Sequence, residues 1–275
     1  MSFKLAVEIW GARGSTPTPG AGTLRYGGNT TCISVRSAAG DRVIVDAGSG
    51  IRKLGRLLMS ESPRAAEVNL FLTHFHWDHI QGLPFFAPLI QGGPRVRFHS
   101  GVDPCETHAR LERQMSDPFF TLDFNAAKAE REYLKMGSAA THCGALTVAA
   151  FPLNHPQGAW GYQIASGGTV VVVATDLEHG HPVLDELLRE RAAKADLLIY
   201  DAQYTDAEYE KRVGWGHSTA NAAAAVAADA GIKELLLFHH DPEHDDEKMD
   251  EIATQTQTSF RATNAAKEGT TILIG

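Results

Sequence analysis

Four apolar, strand-like runs in this sequence lead directly to a histidine or an aspartate. His74 follows the run NLFLT, His155 follows AAFPLN, Asp176 follows VVVVAT and His239 follows ELLLF. Sheet proteins carry many of their functional side chains in the loops at strand ends, where a rigid scaffold positions them. The pattern therefore predicts a sheet-containing fold with a polar site along one edge, formed from distant parts of the chain.

The segment 74–79, His-Phe-His-Trp-Asp-His, holds four candidate metal ligands within six residues. His74 and His76 project to the same side of an extended chain because side chains alternate. Asp78 and His79 lie just beyond, where the chain can turn and offer a second set. Imidazole and carboxylate suit zinc, manganese or iron(II), and the lack of cysteine argues against a purely structural zinc site. One loop can thus serve two metal ions.

Strand and helix patterns alternate along the rest of the chain. Strands are predicted at 4–10, 30–37, 41–48, 69–74, 145–153, 160–166, 169–176, 196–202, 234–240 and 270–274, and helices at 51–59, 183–195, 218–230 and near 246–255. Ser218 is the predicted N-cap of the third helix, and Gly231 ends it. We read the segment 82–142 as an insertion of modest structure. Without a separating linker, residues 1–275 are expected to form a single α/β domain with mixed sheet content.

Charge and cysteine content limit the possible partners. A formal charge of −8 argues against the broad basic face that grips long nucleic acids, so a small or end-presented substrate is expected. Cys32, Cys105 and Cys143 are too few and too widely spaced for a disulfide framework, which indicates a reducing compartment. There is neither a leader pattern nor an apolar run of about 20 residues, and we expect a cytoplasmic protein without membrane contact.

These residues resemble the metallo-β-lactamase superfamily, whose mark is His-x-His-x-Asp-His followed by a later His, Asp and His at strand ends. All seven positions are filled here, by His74, His76, Asp78, His79, His155, Asp176 and His239. The resemblance covers nearly the whole chain and implies a four-layer αββα sandwich with the site along one edge. It also implies two divalent metal ions, most simply zinc, with manganese or iron as alternatives.

The same resemblance assigns the ligands. It implies that three histidines bind one metal ion, that Asp78 and two histidines bind the other, and that Asp176 bridges them; the first set is His74, His76 and His155, and the second is completed by His79 and His239. Asp78 is also expected to be essential for catalysis. Two such ions lower the pKa of a bridging water and neutralise charge on a phosphoryl oxygen.

Single strand-end histidines carry little weight by themselves. A histidine in this position is usually a hydrogen-bonded structural residue, so His155 and His239 gain significance only from the complete ordered set. The last position is ambiguous because His240 follows His239 directly. We favour His239 as the ligand and place His240 beside it or at the surface.

A second pair of residues points to phosphodiester chemistry. Asp201 ends the strand DLLIYD, and His217 precedes a Ser-Thr-Ala helix start. This resembles ribonuclease Z and related phosphodiesterases, in which an acidic residue, commonly Glu, orients a histidine that protonates the leaving oxygen. Such a proton donor contributes about 10²–10⁴ in rate. The alternative is that His217 merely precedes a helix cap.

One departure from ribonuclease Z bears on the substrate. The tRNA-processing enzymes usually carry a long arm between the third-motif histidine and the bridging aspartate, whereas Asp176 follows His155 by only 21 residues. Tight binding of the tRNA phosphates depends on clustered Lys and Arg, which we do not expect on the surface of an acidic chain. We therefore expect a small phosphodiester, such as a cyclic nucleotide, rather than tRNA.

The role of the aromatic segment around 115–120 stays open, as does the reaction. Met115, Pro118, Phe119 and Phe120 are candidates for an apolar lid on which a base stacks, or for a small core or a homodimer contact. Carboxylic ester, lactone or thioester hydrolysis on the same metals is the first rival of the phosphodiesterase, because it needs no Asp201–His217 pair. A non-catalytic metal-binding sensor is the second.

Overall fold

The computed structural model describes residues 3–62, 64–137 and 139–275 and contains two seven-stranded sheets. The strands of the first sheet are β1 (Leu5–Gly11), β2 (Cys32–Ser37), β3 (Arg42–Val45), β4 (Glu67–Phe71), β5 (Arg95–Ser100), β6 (Arg131–Lys135) and β14 (Thr271–Ile274). Those of the second are β7 (Thr141–Cys143), β8 (Leu146–Leu153), β9 (Ala159–Ser166), β10 (Thr169–Ala174), β11 (Leu197–Asp201), β12 (Glu234–Phe238) and β13 (Thr263–Ala265).

Eight α-helices are found in the described part of the chain. They are α1 (Ile51–Ser60), α2 (Trp77–Ile80), α3 (Ala87–Gln91), α4 (Pro104–Gln114), α5 (Pro182–Ala192), α6 (Asp206–Tyr209), α7 (Ala220–Ala230) and α8 (Asp246–Thr256). Within the described residues, no helix combines the length and the apolar character needed to cross a membrane.

Both sheets are mixed, as the sequence predicts. The first has the order β14-β1-β2-β3-β4-β5-β6, with antiparallel pairing up to β3 and parallel pairing from β3 to β6. The second has the order β13-β12-β11-β10-β9-β8-β7, and its strands β10 to β13 are parallel. Parallel neighbours begin and end at the same sheet edge, so the residues that follow β10, β11 and β12 lie side by side.

The core consists of three apolar clusters, because side chains along the central strands point alternately to the two faces of each sheet. Val171 and Val173 of β10 face the space between the sheets, whereas Val172 and Ala174 face the helices α5 and α7. A third cluster packs α1, α3 and α4 against the outer face of the first sheet. Strands buried on both faces have the near-continuous apolar sequences seen here. The result is the four-layer αββα arrangement, which confirms the predicted fold class.

The segment 82–142 does not match the prediction of modest structure. It contains β5 and β6, which extend the first sheet by parallel pairing, together with α3 and α4, which cover that sheet. Its strands have weak sequence patterns because they lie near the sheet edge and alternate apolar with charged residues, as in RVRFHS. The segment is therefore part of the sandwich.

The predicted N-cap of α7 is displaced by one residue. Thr219, not Ser218, is the cap, and its side-chain oxygen accepts a hydrogen bond from the Ala222 amide. The Ser218 hydroxyl lies instead 2.8 Å from Nδ1 of His179 and 3.4 Å from the hydroxyl of Tyr200. Ser218 therefore ties the helix start to the neighbouring loop.

Two hydrogen bonds connect the sheets where β4 ends. The Tyr162 hydroxyl in β9 donates to the carbonyl oxygen of Leu72 at 2.6 Å, and the Trp160 amide donates to the carbonyl oxygen of Thr73 at 3.0 Å. Both acceptors, Leu72 and Thr73, lie in the segment that follows β4, directly before His74. The bonds therefore hold the start of the histidine-rich segment against the second sheet.

We expect Tyr162→Phe to lower the free energy of unfolding by about 1–2 kcal/mol, because the buried Leu72 carbonyl loses its cross-sheet donor. The matched control is Tyr133→Phe, since the Tyr133 hydroxyl is buried without a hydrogen-bond partner in the part of the chain that the structure describes. Its removal is expected to be neutral or slightly stabilising. Urea denaturation measures both, and equal effects of the two substitutions would contradict the proposed role of the Tyr162 bond.

Candidate metal centre

The seven residues of the predicted ligand set converge at one edge of the sandwich. His74 follows β4, His155 follows β8, Asp176 follows β10 and His239 follows β12. His76 immediately precedes the short helix α2, which carries Asp78 and His79 on its first turn. The side chains lie within two overlapping groups that share Asp176, each with its ligand atoms within 4.8 Å of one another.

The first group consists of His74, His76, His155 and Asp176. Nε2 of His155 lies 3.4 Å from Nδ1 of His76, and Nε2 of His74 lies 3.7 Å from Oδ2 of Asp176. Three imidazole nitrogens and a carboxylate oxygen thus face a common point. This is a ligand set that divalent zinc, manganese or iron accepts.

The second group consists of Asp78, His79, Asp176 and His239. Nε2 of His79 lies 3.2 Å from Oδ2 of Asp78 and 3.1 Å from Oδ1 of Asp176. Nε2 of His239 lies 3.1 Å and 3.4 Å from the same two oxygens. Asp176 directs one carboxylate oxygen towards each group, which is the arrangement expected of a bridging ligand.

The donor set fits two cations by its own chemistry. Nε2 of His74 is buried and has no hydrogen-bond partner among the described residues, which is costly unless another species binds it. The Nε2 atoms of His79 and His239 lie 3.4 Å apart and face the same carboxylates. A cation that accepts several lone pairs at once satisfies both observations.

Outer contacts hold each inward-facing imidazole. Nδ1 of His79 lies 2.8 Å from Asp46, and Nδ1 of His239 lies 2.8 Å from Oε1 of Gln203. Nδ1 of His155 donates to the carbonyl oxygen of Gly216 at 3.0 Å. Such contacts fix the tautomer that leaves Nε2 as the ligand atom. Asp46 and Gln203 escaped the sequence analysis, although both follow strand-like runs.

Asp46 also organises the segment that carries His74. Its carboxylate accepts hydrogen bonds from the backbone amide of Thr73 at 2.8 Å and from the Thr73 hydroxyl at 2.7 Å. The Thr73 oxygen is in turn 3.0 Å from Nδ1 of His74. One buried carboxylate thus orients a histidine from each group.

Burial and the surrounding histidines have opposite effects on the pKa values of the two central carboxylates, Asp78 and Asp176. Burial alone would raise the pKa of Asp78, but His79 and His239 outweigh it and hold that pKa below its usual range. For Asp176 burial is likewise the largest influence, and His239, His79 and His74 together lower its pKa well below the ordinary value. Both side chains are therefore carboxylates, the form that binds cations.

Three residues at strand ends around the site have left-handed backbone conformations. Asp46, Asp176 and His239 have φ values of 61°, 63° and 61°, and each directly follows or nearly follows a strand. Non-glycine residues in this region cost about 1–3 kcal/mol and persist only where the surrounding structure requires them. The left-handed conformation at each strand end is therefore maintained because it directs the side chain into the site.

Asp201 and His217 form a close pair beside the two groups. Nδ1 of His217 lies 2.8 Å from Oδ2 of Asp201, and the imidazole stacks on His239 with ring centroids 4.8 Å apart. Burial would lower the pKa of His217, but Asp201 outweighs it and, with Asp176 and Asp78, raises that pKa to about 9. The ring is thus poised to carry a proton at the edge of the site. Backbone amides of Gln203 and Ser218 hold the other oxygen of Asp201.

Glu178 supports the loop that leads into His217, and the sequence analysis did not identify it. Its carboxylate accepts hydrogen bonds from the backbone amides of Gly214 and Gly216 and from the Tyr209 hydroxyl, at 2.8–3.1 Å. The Gly216 carbonyl contacts His155, so this carboxylate positions both a metal-group histidine and the proton-carrying one.

The Gly-rich loop at 11–20 contributes directly to the site. The backbone amide of Ser15 donates to Oδ2 of Asp78 at 2.8 Å. A side chain at Gly14 would begin 2.4 Å from Nδ1 of His239, so only glycine permits this close approach.

His239 and His240 point in different directions. His239 belongs to the second group, whereas Nε2 of His240 donates to the carbonyl oxygen of Ala266 at 2.8 Å. Burial lowers the pKa of His240 to about 3, so it is a neutral core residue. The geometry agrees with the choice of His239 made from the sequence.

A family model described as "Beta-lactamase superfamily domain" matches residues 41–240. Together with the two mixed sheets and the buried His/Asp groups, this match identifies the class. The chain belongs to the metallo-β-lactamase superfamily.

Two curated relatives are ribonucleases. Ribonuclease BN of Cronobacter sakazakii is 26% identical over 287 aligned positions, which cover 84% of this chain and 89% of that protein. Ribonuclease Z of Brevibacillus brevis is 37% identical over 105 residues, but the match spans only 37% of this chain and 31% of that protein.

Three solved structures share the fold over almost the whole chain. YhfI from Bacillus subtilis has a TM-score of 0.72 at 20% identity, covering 98% of this chain and 99% of that one. Zn²⁺-bound PqqB from Methylobacterium extorquens has a TM-score of 0.71 at 17% identity, covering 97% and 99%. The short form of human tRNase Z has a TM-score of 0.67 at 20% identity, covering 98% and 99%. At these identities the likeness establishes the fold alone.

Substitution of Asp46 by Asn is expected to weaken metal binding by about 10- to 100-fold, because the charge that orients His79 is lost and an amide group faces the Thr73 donors. Competition with a chromophoric chelator measures the affinity. Asp123→Asn is the control, since this exposed aspartate only caps a 3₁₀ turn. Unchanged affinity in a folded Asp46→Asn protein would contradict the assigned role.

Proposed function

We propose that the protein is a dinuclear metal-dependent phosphodiesterase that acts on a small nucleotide or a similar phosphodiester. The observation that carries this proposal is the Asp201–His217 pair, with its 2.8 Å contact at the edge of the two ligand groups. Hydrolysis of a thioester, whose thiolate leaves without a proton, has no need of a separate, oriented proton donor at this position. A phosphodiester with an alkoxide leaving group does need one.

Two divalent ions, for which zinc is our first choice, would be held by the two groups described above. His74, His76 and His155 would bind one, Asp78, His79 and His239 the other, and Asp176 both. When bound, such a pair makes hydroxide available from water near neutral pH and neutralises charge on phosphoryl oxygens. The Zn²⁺-bound PqqB structure shares this fold, which supports the choice of zinc.

The protein's own residues would manage the proton of the leaving group. Asp201 holds Nδ1 of His217, which leaves Nε2 as the nitrogen that donates its proton. As the bond between phosphorus and the leaving oxygen breaks, the electron pair stays on that oxygen and the proton from His217 neutralises it. Asp201 then stabilises the ring until water restores the proton.

A small substrate is favoured by the surroundings of the site. Between His155 and Asp176, every residue of which the structure describes, the chain forms only β9, β10 and a tight turn at Gly167 and Gly168. No arm for a large nucleic acid emerges there, and the chain has a formal charge of −8. The relatives named ribonucleases cleave phosphodiesters, which supports the bond type. The three cysteines are unpaired, which is typical of the cytoplasm.

His217→Ala is expected to discriminate between leaving groups. Turnover of a cyclic nucleotide should fall by about 10²–10⁴, because its alkoxide leaves only with a proton. Turnover of bis(p-nitrophenyl) phosphate should fall much less, because p-nitrophenolate departs without one. Steady-state kinetics of both substrates in the metal-loaded protein measure the difference, and an equal loss on both would contradict a proton-donor role.

Asp78→Ala is expected to abolish phosphodiester turnover by removing a ligand of the second group and is measured on the same substrates. A lactone and a thioester are assayed beside them with the wild-type protein. Turnover confined to these carbonyl substrates would overturn the phosphodiesterase proposal while leaving the metal centre in place.

A further inference from the structure

An aromatic cleft lies beside the histidine-rich segment. It has a volume of about 630 Å³, within the usual range for a small-molecule site. Its walls come from α2, Phe75 two residues before it, the turn after α2, the C-terminal half of α4 and the loop that follows α4. The lining residues on which the argument rests are Phe75, Trp77, Phe85, Phe119, Arg110 and Arg113.

The exposure of the aromatic rings is unusual. Trp77, Phe85 and Phe119 are 79%, 57% and 75% exposed, and in the described part of the chain the only other Phe or Trp exposed to a similar degree is Trp215. Large apolar side chains gathered in one open cleft mark a site that something else covers. The alternatives left open for the segment 115–120 divide between its residues, because Met115 is buried in the core whereas Phe119 lines the cleft.

The charge of the cleft distinguishes it from the rest of the surface. Its charged lining residues are Arg110 and Arg113, and among the described residues no acidic one lines it, although the chain as a whole is strongly acidic. The Arg110 guanidinium lies over the Phe75 ring, 4.8 Å from its centroid, and pairs with Glu106 outside the cleft lining. Arg113 is in no ion pair of the described residues and can face an anion. Flat rings with adjacent guanidinium groups suit an aromatic group attached to a phosphate.

The cleft adjoins the ligand segment of the chain. Trp77, which lines it, lies between His76 of the first ligand group and Asp78 of the second, and consecutive Cα atoms are about 3.8 Å apart. A substituent that extends over Trp77 from a phosphate held at the two groups would enter the cleft. A partner that covered the cleft from outside would have no comparable link to the ligand residues.

We infer that this cleft binds the flat, nucleobase-like group of the substrate, so that the protein prefers nucleoside phosphodiesters to alkyl ones. This inference rests on the proposed function for turnover, but binding of a nucleotide tests it separately. Trp77 and Phe119 would stack on the ring, and Arg113 would lie near its phosphate.

The kinetic test compares two substrates with the same leaving group. These are the p-nitrophenyl ester of thymidine 5′-phosphate and methyl p-nitrophenyl phosphate. The ratio of their kcat/KM values, nucleoside over methyl, is expected to fall about tenfold in Trp77→Ala and in Phe119→Ala, as for the loss of one stacking contact. Leu273→Ala, which removes an exposed apolar side chain from the distant strand β14, is expected to keep the wild-type ratio. A ratio unchanged in both cleft variants would overturn the inference.

The binding test does not depend on turnover. Isothermal titration of the metal-loaded protein with thymidine 5′-monophosphate is expected to show about tenfold weaker binding in Trp77→Ala than in the Leu273→Ala control. If this loss occurs but no phosphodiester is hydrolysed, the cleft assignment stands and the proposed function fails. Equal affinity in the two variants overturns the cleft assignment. So does light scattering that shows a wild-type dimer broken by Trp77→Ala, because the cleft would then be a contact between copies.

Discussion

The carboxylate of Asp176 is the contact on which the arrangement of the site depends. It is fully buried, and three histidines from both sheets approach its two oxygens at 3.1–3.7 Å. A buried charge costs several kcal/mol unless opposite charges or donors surround it. The apolar layer between the sheets offers neither, so the carboxylate has to lie where strands from both sheets end.

The sandwich meets this requirement through parallel strands and strained turns. β10, β11 and β12 run side by side and deliver Asp176, Asp201 and His239 at one edge. The first sheet supplies His74 and His79 from the other side, fixed by the bonds of Tyr162 and Trp160 across the interface. The left-handed conformations at the strand ends then aim the side chains inward. Packing between the sheets therefore sets the distances between the candidate ligand residues. The turns at the strand ends set the directions in which their side chains point.

The features of this site that could be predicted from the sequence lie in short segments of the chain. The histidine-rich segment and the polar residues at strand ends carried the seven candidate ligands. Strand and helix patterns carried the mixed α/β architecture, and the resemblance to the superfamily implied the sandwich. Asp46 was not predictable, because its contact with His79 spans 33 residues and exists only through the parallel pairing of β3 and β4. Glu178 was hidden for a related reason, since its partners are backbone amides that no sequence pattern marks. β5 and β6 were underestimated because their exposed faces carry charges.

Charge and shape act together on the choice of substrate in the proposed function. A chain with a formal charge of −8 repels a long polyanion over its whole surface, whereas a single phosphodiester carries one charge and meets mainly the site itself. Within the aromatic cleft the charged groups are arginines, so attraction is confined to a volume of about 630 Å³. A ligand that gains from this attraction has to be small enough to place its phosphate and its ring there together. The acidic surface thereby excludes long polyanions, and the cationic cleft binds small ones. Both effects favour a small phosphodiester that carries a flat ring.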